Sequence, residues 1–170
     1  MDFRQLAAAR FSVRSFENTP VEKEKLNIIL EAGRLAPTAC NNQPQRIKII
    51  TGADLAKVDE FTPCRYGAPL VLLVCYDKTV CASAPPFGTG QTGQVDASIV
   101  TSHLILQAAD LGLGSLWVMH FDPAKATELL GLPENIVPMA VLNIGYPAAG
   151  TEPNERHNQR IPLEDMLLDF

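Results

Sequence analysis

The chain has 170 residues, enough for one domain spanning residues 1–170, and its 46% hydrophobic and 19% charged residues are typical of a globular protein rather than a disordered one. A formal charge of −5, without a sustained run of lysine and arginine, argues against a nucleic-acid-binding protein. The charged N-terminus does not fit a signal peptide, and the longest apolar run, Leu70 to Tyr76, is too short to span a bilayer, so we expect a soluble, cytoplasmic protein.

Neither a metal site nor a familiar hydrolase motif is predicted. The four cysteines include no Cys-x-x-Cys pair and the three histidines lie far apart, so we expect no zinc site. Cys75 lies inside an apolar run and is expected to be a small core residue. The sequence also lacks Gly-x-Ser-x-Gly and His-Glu-x-x-His, which argues against serine hydrolases and zinc proteases.

The first distinctive stretch is Arg10-x-Ser12-x-Arg14. On a helix, positions 10 and 14 share one face, whereas in an extended segment positions 10, 12 and 14 would do so. Either conformation directs Arg10 and Arg14 toward a common target. A guanidinium binds phosphate oxygens with a two-pronged fork, and a nearby hydroxyl adds a donor. The alternative is an ordinary solvated basic face.

A helix start and a polar loop follow. Thr19 is predicted to cap a helix, with Glu22 completing a capping box, and the helix is predicted to run to about Leu35, where Pro37 stops it. The next residues, 36–46, are dense in amides and prolines and offer little to a core. They suit hydrogen bonding to a planar polar ligand, although a plain polar loop is the alternative.

Two strands, a short helix and a second loop are predicted next. Arg46 to Thr51 alternates like a half-buried strand, Ala53 to Glu60 could form a short helix, and Pro69 to Tyr76 is typical of a strand covered on both faces. Residues 78–94 predict a loop that could act as a lid. The loop contains a Gly-x-Gly-x-x-Gly match at residues 88–93, which we reject as a dinucleotide site because a dozen residues separate it from the strand.

The segment Val95 to Leu111 is apolar on nearly every side and predicts a buried helix, ended by Gly112 and Gly114. In so small a protein such a helix usually needs a partner surface, so we predict a homodimer. His103 within it is expected to be a packed, hydrogen-bonded core residue rather than a catalyst.

The C-terminal third is predicted to hold two strands, a helix and a short terminal helix. The predicted strands are Ser115 to Met119, which contains the only tryptophan, and Pro138 to Tyr146. The predicted helix starts with Asp122 as its cap and ends at Gly131, and the terminal helix lies within residues 161–168. Arg156 and Arg160 lie between the last strand and the terminal helix.

Three separated motifs together resemble the nitroreductase family of FMN enzymes. They are Arg10-x-Ser12-x-Arg14, Ala36-Pro-Thr-x-x-Asn41-x-Gln43-Pro44, and the run from Leu111 to Asp122 that includes Gly-Ser-Leu-Trp-Val-Met-His. The closing Asn158-Gln-Arg160-x-Pro162 is similar to the C-terminal part of that family. The resemblance covers essentially the whole chain in the right order.

The resemblance implies an α+β fold with a central, mostly antiparallel sheet flanked by helices. It also implies an intertwined homodimer with two FMN sites at the subunit interface. By position, Arg10 and Arg160 would grip the FMN phosphate, and Ser12 would bind the phosphate or the ribityl chain. Arg14 would reach N1 and the C2 carbonyl of the flavin.

The remaining contacts are implied for two other segments. Residues that would contact the same flavin from the other subunit are Pro37, Thr38, Ala39, Asn41 and, as an additional candidate, Gln43. Residues that would run along the side of the flavin leading to N5, with a main-chain N–H pointing at N5, are Trp117, Val118, Met119 and His120.

The sequence departs from better-studied members at three points. Asn158 stands where a lysine often helps to hold the phosphate, so that contact would rest more on Arg10 and Arg160. Met119 replaces an acidic residue of some members, which leaves only its main-chain role. The usual mid-chain Asn and Lys contacts are not matched, and Arg65 is a candidate substitute.

The function implied by the resemblance is an FMN-dependent oxidoreductase that uses NADH or NADPH to reduce flat, electron-poor aromatic acceptors, such as nitroaromatics and quinones, by ping-pong hydride transfer. No catalytic side chain is required, because the flavin supplies the reactivity. One alternative is a specialised member that dehalogenates, dehydrogenates or consumes its flavin. Another is a flavin-binding dimer without enzymatic activity.

Overall fold

The structure is a computed structural model that describes residues 2–83 and 92–168. Within these residues the chain forms five α-helices and four β-strands. The helices are α1 (Phe3–Ala9), α2 (Lys23–Arg34), α3 (Leu55–Phe61), α4 (Gly93–Asp110) and α5 (Pro123–Leu130). The strands are β1 (Gln45–Thr51), β2 (Leu70–Asp77), β3 (Gly114–Val118) and β4 (Ile136–Gly145). Short 3-10 turns cover Ala39–Asn41, Gly52–Asp54, Glu155–Asn158 and Glu164–Met166.

The four strands form one antiparallel sheet in the order β1-β2-β4-β3. The segment after α1 extends along the β3 edge, where Ser12 bridges Ser115 in parallel and Phe16 bridges Pro147. Arg10 itself has extended backbone angles, with φ −64° and ψ 125°. The extended alternative for the arginine motif is therefore the correct one, and residues 10, 12 and 14 alternate with the buried Val13.

Helices cover both faces of the sheet, as the apolar pattern of the central strand predicts. On β2, Leu70, Leu72 and Val74 pack with α2 and α4, whereas the alternate residues Val71, Leu73 and Cys75 pack with α3 and α5. This period of two in a strand with apolar residues on both sides requires two covering layers. The predictions of a doubly covered strand and of a buried Cys75 are confirmed.

The predicted start of the second helix is wrong by three residues. The α2 helix begins at Lys23 after Glu22, and the Thr19 hydroxyl donates to the Glu17 carboxylate at 3.2 Å instead of capping. The cause lies far away in sequence, because the Tyr146 hydroxyl donates to Glu22 at 2.7 Å and holds this segment against the end of β4. By contrast, Asp122 caps α5 as predicted, accepting the Lys125 N–H at 3.0 Å.

His103 is hydrogen-bonded but does not lie in the core. Its Nδ1 is 2.9 Å from the Ile99 carbonyl oxygen, and the half-buried ring borders a shallow groove between α2 and α4 that also contains Ile28 and Leu35. The core-facing stripe of α4 passes through Val100 and Leu104. His103 is therefore turned aside from that stripe, and its predicted core position is wrong.

Part of the predicted lid lies outside the described residues. Gly88 and Gly90 of the rejected glycine motif belong to that part, whereas Gly93 opens α4. Of the helices in residues 2–83 and 92–168, none combines the length and apolarity needed to cross a membrane.

Candidate functional site

A cavity of about 520 Å³ lies between the end of α1 and the 3-10 turn Glu155–Asn158. We call it the arginine cleft. The residues that line it are Arg10, Phe11, Ser12, Arg14, Asn154, Glu155, Arg156 and His157. The first sequence motif, Arg10-x-Ser12-x-Arg14, was predicted to bind an anion. All three of its named residues line this cavity, and two of them are basic.

Main-chain contacts fix both walls of the arginine cleft. On one wall, the Val13 N–H donates to the Ser115 carbonyl at 3.0 Å, so the arginine segment is tied to the edge of the sheet. On the other, His157 Nε2 lies 2.9 Å from the Ala8 carbonyl oxygen, and its ring stacks edge-on against Phe11 with 6.1 Å between centroids. His157 thus brings the C-terminal arginines back to α1 across almost the whole length of the sequence.

Two arginines of the cleft and the nearby Arg160 lack an ion pair among the described residues, although the Glu155 carboxylate lines the same cavity. Burial lowers the pKa of the half-buried Arg10, and the positive charge of Arg160 lowers it further. Within residues 2–83 and 92–168, neither Arg10, Arg14 nor Arg160 forms an ion pair with a carboxylate. Guanidiniums that repel each other and form no close ion pair favour binding of an anion.

Within the described residues, the guanidiniums of Arg14 and Arg160 donate to main-chain carbonyl oxygens and not to carboxylates. Arg14 donates to the Ser12 carbonyl at 3.4 Å, and Arg160 donates to the carbonyls of His157 and Gln159, the latter at 2.8 Å. These contacts orient the side chains while leaving further N–H donors of each fork available. Arg14 in the cleft and Arg160 near Arg10 therefore offer charged donors to a ligand such as a phosphate.

The second predicted cluster, loop 37–43, has unusual backbone geometry. Cys40, Asn41 and Gln43 have φ values of 54°, 54° and 51°, in the left-handed region that non-glycine residues rarely adopt. Pro37, Asn41 and Gln43 are exposed, and Thr38 and Ala39 are half-buried. The loop thus presents polar side chains to solvent from a strained main chain.

Asp96 at the start of α4 holds this loop in place. This carboxylate is only 2% exposed, and it accepts the Ala39 N–H at 2.9 Å and the Thr92 hydroxyl at 2.7 Å. Within the loop, the Gln43 N–H donates to the Thr38 hydroxyl oxygen at 3.0 Å. Among residues 2–83 and 92–168 the hydroxyl proton of Thr38 has no acceptor, so it is available for a ligand.

The third cluster, segment 117–121, follows β3. The half-buried Trp117 indole donates to the Met119 sulfur at 3.1 Å, and both Met119 and His120 are exposed. Val118 is buried in the core between the sheet and α3, so its side chain cannot reach a ligand and only its main chain can. A ligand at this segment would therefore meet main chain and a soft apolar surface.

Hydrogen bonds fix His120 on both sides. The Phe121 N–H donates to the Met119 carbonyl at 3.2 Å, closing a tight turn, and the His120 carbonyl accepts the Thr62 hydroxyl at 2.7 Å. Among the described residues the His120 N–H has no acceptor. Segment 117–121 therefore presents a fixed, free main-chain donor.

One chain does not bring the three clusters together. Loop 37–43 precedes β1 and segment 117–121 follows β3, at the same end of the sheet but on its two opposite edges. Three strand spacings separate those edges, about 14 Å. The arginine cleft lies toward the start of β3, where Ser12 meets Ser115.

Arg65, the candidate substitute for missing flavin contacts, already has partners. Its guanidinium donates to both oxygens of Asp59 at 2.7 and 2.6 Å and to the Ala68 carbonyl at 3.1 Å. The hydrogen bonds that Arg65 donates to Asp59 raise the pKa of Arg65. Asp59, six residues earlier in the sequence, was the signal that Arg65 could be paired within the chain. Few donors of the Arg65 guanidinium are left for a ligand.

Sequence reasoning missed three contributors to the clusters. Arg156 and His157 line the arginine cleft, whereas Arg160, the C-terminal residue assigned to the phosphate, is not among its lining residues. Thr62, which bonds segment 117–121, carried no motif at all. The only sequence signal for His157 was its position close to Arg160.

Comparison with known proteins identifies the fold and the family. The model of the nitroreductase family matches residues 7–65 and 65–146 of the chain. A nitroreductase family protein from Clostridium difficile 630 is 40% identical with a TM-score of 0.91, covering 99% of this chain and 98% of the other. A protein from Desulfovibrio desulfuricans, solved in complex with FMN, is 26% identical with a TM-score of 0.81, covering 100% and 97%.

A relative with a named activity supports the same assignment. The FMN reductase (NAD(P)H) of Bacillus subtilis (strain 168) is 31% identical over 157 residues, which cover 81% of this chain and 62% of that protein. The predicted α+β fold, with an antiparallel sheet between helices, is confirmed by the superpositions. From the family match, which spans well over half of its length, the chain belongs to the nitroreductase family.

Proposed function

We propose that the protein is an FMN-dependent oxidoreductase that uses NADH or NADPH to reduce flat, electron-poor acceptors such as nitroaromatics and quinones by a ping-pong mechanism. The observation that carries the proposal is the arginine cleft, lined by Arg10 and Arg14, with Arg160 close enough for its charge to act on Arg10 and none of the three paired with a carboxylate among the described residues. Relatives named for NAD(P)H oxidation and a related structure with FMN support the choice of cofactor.

The residues of the cleft fit the phosphate of FMN. A phosphate monoester carries nearly two negative charges, which two guanidiniums can neutralise through charge-assisted hydrogen bonds. In this proposal Arg10 and Arg160 hold the phosphate, and the exposed Ser12 hydroxyl donates to the phosphate or the ribityl chain. Arg156 lines the same cavity and adds the positive charge that Asn158 does not supply.

The other two clusters would hold the flavin ring. FMN, when bound, accepts a hydride at N5 and delivers it to an acceptor. Arg14 would place positive charge beside N1 and the C2 carbonyl, which favours the reduced ring. The main chain of segment 117–121 (Trp117, Val118, Met119 and His120) would lie along the edge leading to N5. The apolar Trp117–Met119 pair would exclude water, and we assign no catalytic side chain.

Loop 37–43 is assigned to a second copy of the chain. The loop and the arginine cleft lie apart within one chain, so Pro37, Thr38, Ala39, Asn41 and Gln43 would reach the flavin from the partner subunit. Apolar side chains at the C-terminus also call for a covering surface, since Ile161, Leu163, Met166, Leu167 and Leu168 are 62% to 78% exposed. An intertwined homodimer with two FMN sites satisfies both requirements.

Absorption spectroscopy of the purified protein tests the proposal. We expect a yellow chromophore, or its appearance on titration with FMN, and bleaching by NADH or NADPH without oxygen. Reoxidation by a quinone after removal of the oxidised nicotinamide would support the ping-pong order. A protein that takes up no FMN would refute the proposal, and one that binds FMN but is never bleached would be the non-enzymatic flavin-binding dimer.

A further inference from the structure

A buried hydroxyl links the end of α3 to segment 117–121. Thr62 is 2% exposed and ends α3, with its N–H donating to the Val58 carbonyl at 3.0 Å. Its hydroxyl oxygen accepts the Cys64 N–H at 3.2 Å and donates its proton to the His120 carbonyl at 2.7 Å. The hydroxyl therefore has a single orientation, because both of its bonds have fixed partners.

The loop that carries Thr62 is itself anchored to the centre of the sheet. Asn143 on β4 is fully buried, and its amide donates to the carbonyls of Cys64 and Arg65 at 2.7 and 3.1 Å. A further bond joins the two segments directly, since the Asp122 N–H donates to the Phe61 carbonyl at 2.8 Å. Thr62 thus connects segment 117–121 to a loop that is anchored to β4.

The bond from Thr62 contributes to fixing the direction of the free His120 N–H, together with the main-chain bonds of Phe121 and Asp122. The Met119 carbonyl, which shares a peptide plane with the His120 N–H, accepts the Phe121 N–H at 3.2 Å. The His120 carbonyl, in the next peptide plane, accepts the Thr62 hydroxyl. Loss of the Thr62 bond would free the peptide plane between His120 and Phe121 to rotate, and this rotation would loosen the turn that orients the His120 N–H. A donor held in place before its acceptor arrives stabilises developing charge more than a mobile donor, because it needs no reorganisation.

We propose that Thr62 is a positioning residue, which holds the main-chain N–H of His120 in the direction of the flavin N5. This inference rests on the proposed function, and it assigns to Thr62 no contact with cofactor or substrate. The site would then be rigid at its reactive edge because of a hydroxyl that lies behind the main chain.

Three variants test this role. Thr62→Val removes the hydroxyl at nearly constant shape, and Thr62→Ser keeps it. Thr127→Val is the matched control, because the Thr127 hydroxyl donates to the Pro123 carbonyl at 2.9 Å on α5 and touches none of the three clusters. If Thr62→Val does not fold, Thr62→Cys, with its weak S–H donor, replaces it in the same measurements.

The first readout needs no flavin. Amide hydrogen exchange of Phe121, followed by NMR in flavin-free protein, should speed up about tenfold in Thr62→Val because one hydrogen bond that fixes the turn is lost. Thr62→Ser and Thr127→Val should exchange at the wild-type rate. Unchanged exchange in Thr62→Val would overturn the proposed clamp.

The second readout follows the reactive edge. Anaerobic flavin reduction by NAD(P)H should slow about tenfold in Thr62→Val, whereas the FMN dissociation constant should stay within about threefold of wild type, because the arginine cleft is untouched. Thr62→Ser should restore the rate. An equal rate in Thr62→Val and wild type would overturn the positioning role, whereas a wild-type protein without FMN would refute the proposed function and leave the exchange result to decide the clamp.

Discussion

Arg10 gives the sharpest test of the arginine cleft, because its replacement should have opposite effects on ligand binding and on the free protein. Arg10→Gln keeps part of the side-chain stem and a donor but removes the charge. In the flavin-free protein Arg10 lies near Arg160, whose charge helps to lower the pKa of Arg10. Removing one of two like charges relieves repulsion, so we expect the free energy of unfolding without ligand to stay constant or to rise.

Binding of FMN should weaken substantially in the same variant. Arg10 is half-buried and has no carboxylate partner among the described residues, so a phosphate would meet it without first breaking an ion pair. Hydrogen bonds to charged groups contribute about 1.5–3 kcal/mol. That range corresponds to an increase of about 10- to 150-fold in the dissociation constant.

Titration of flavin-free protein with FMN, followed by fluorescence quenching, measures this change. Arg34→Gln is the control, because Arg34 is exposed on α2 and already paired with Glu31 at 2.6 Å. Its FMN affinity should equal that of wild type. Wild-type affinity should also fall as salt is added, and less steeply in Arg10→Gln. An Arg10→Gln affinity within about threefold of the control would refute the assignment of the cleft.

Three further predictions concern acid, thiol chemistry and packing. Hydrogen bonds from Thr79 lower the pKa of Asp77 to about 2. The contribution of Asp77 to stability is therefore complete above its unfolded pKa of about 4 and should be lost as the pH falls from there toward 2. Urea unfolding of Asp77→Asn should show a flatter pH dependence than that of wild type. Burial raises the pKa of Cys75 to about 12, so iodoacetamide at pH 8 should label its peptide, detected by mass spectrometry, only in urea. A Cβ on Gly114 would lie 2.7 Å from a Val13 methyl carbon, so Gly114→Ala should lower the free energy of unfolding by about 1–3 kcal/mol in urea and weaken FMN binding through the arginine segment.

Each of these three predictions has an outcome that contradicts it. An unaltered acid-unfolding profile in Asp77→Asn would mean that this carboxylate is not stabilised in the fold. Modification of Cys75 in the native protein would mean that β2 opens locally. A Gly114→Ala protein as stable as wild type would show that the arginine segment is free to move away from the sheet edge.

Elements were predictable where the determining interactions lie within a few residues. The Asp122 cap of α5 needs only the N–H three residues later, and the double cover of β2 follows from its own apolar run. Thr19 failed as a cap because Tyr146, 127 residues away, holds the chain extended through Glu22. His103 failed because a helix that is apolar on most sides gives little indication of which side faces the sheet.

The candidate site shows the same division. The alternation of Arg10, Ser12 and Arg14 with a buried valine is a local pattern, and it correctly brings these residues to one cleft. The approach of Arg160 depends on the contact between His157 and Ala8, which are 149 residues apart. Thr62 could not have been found from its neighbours in sequence, because its function as a clamp exists only where α3 and β3 end side by side.

The distribution of strain gives an independent argument for where this protein acts. Among the described residues, the non-glycine residues with left-handed φ are Cys40, Asn41, Gln43 and Tyr66. Three belong to loop 37–43, which is assigned to the flavin on other grounds, and the fourth belongs to the loop that carries Thr62. Such conformations cost on the order of 1–3 kcal/mol each and persist only where the surroundings hold them.

Two charged groups at the candidate site are in costly surroundings as well. Asp96 is a buried carboxylate bonded to a main-chain N–H and a hydroxyl, and Arg10 is a half-buried cation beside another cation. Neither arrangement is what stability alone would favour, because both leave charge desolvated without an opposite charge. Unfavourable features at two of the three clusters, the arginine cleft and loop 37–43, are best explained by a ligand that compensates them, namely an anion at the arginines and a planar acceptor of hydrogen bonds at the loop.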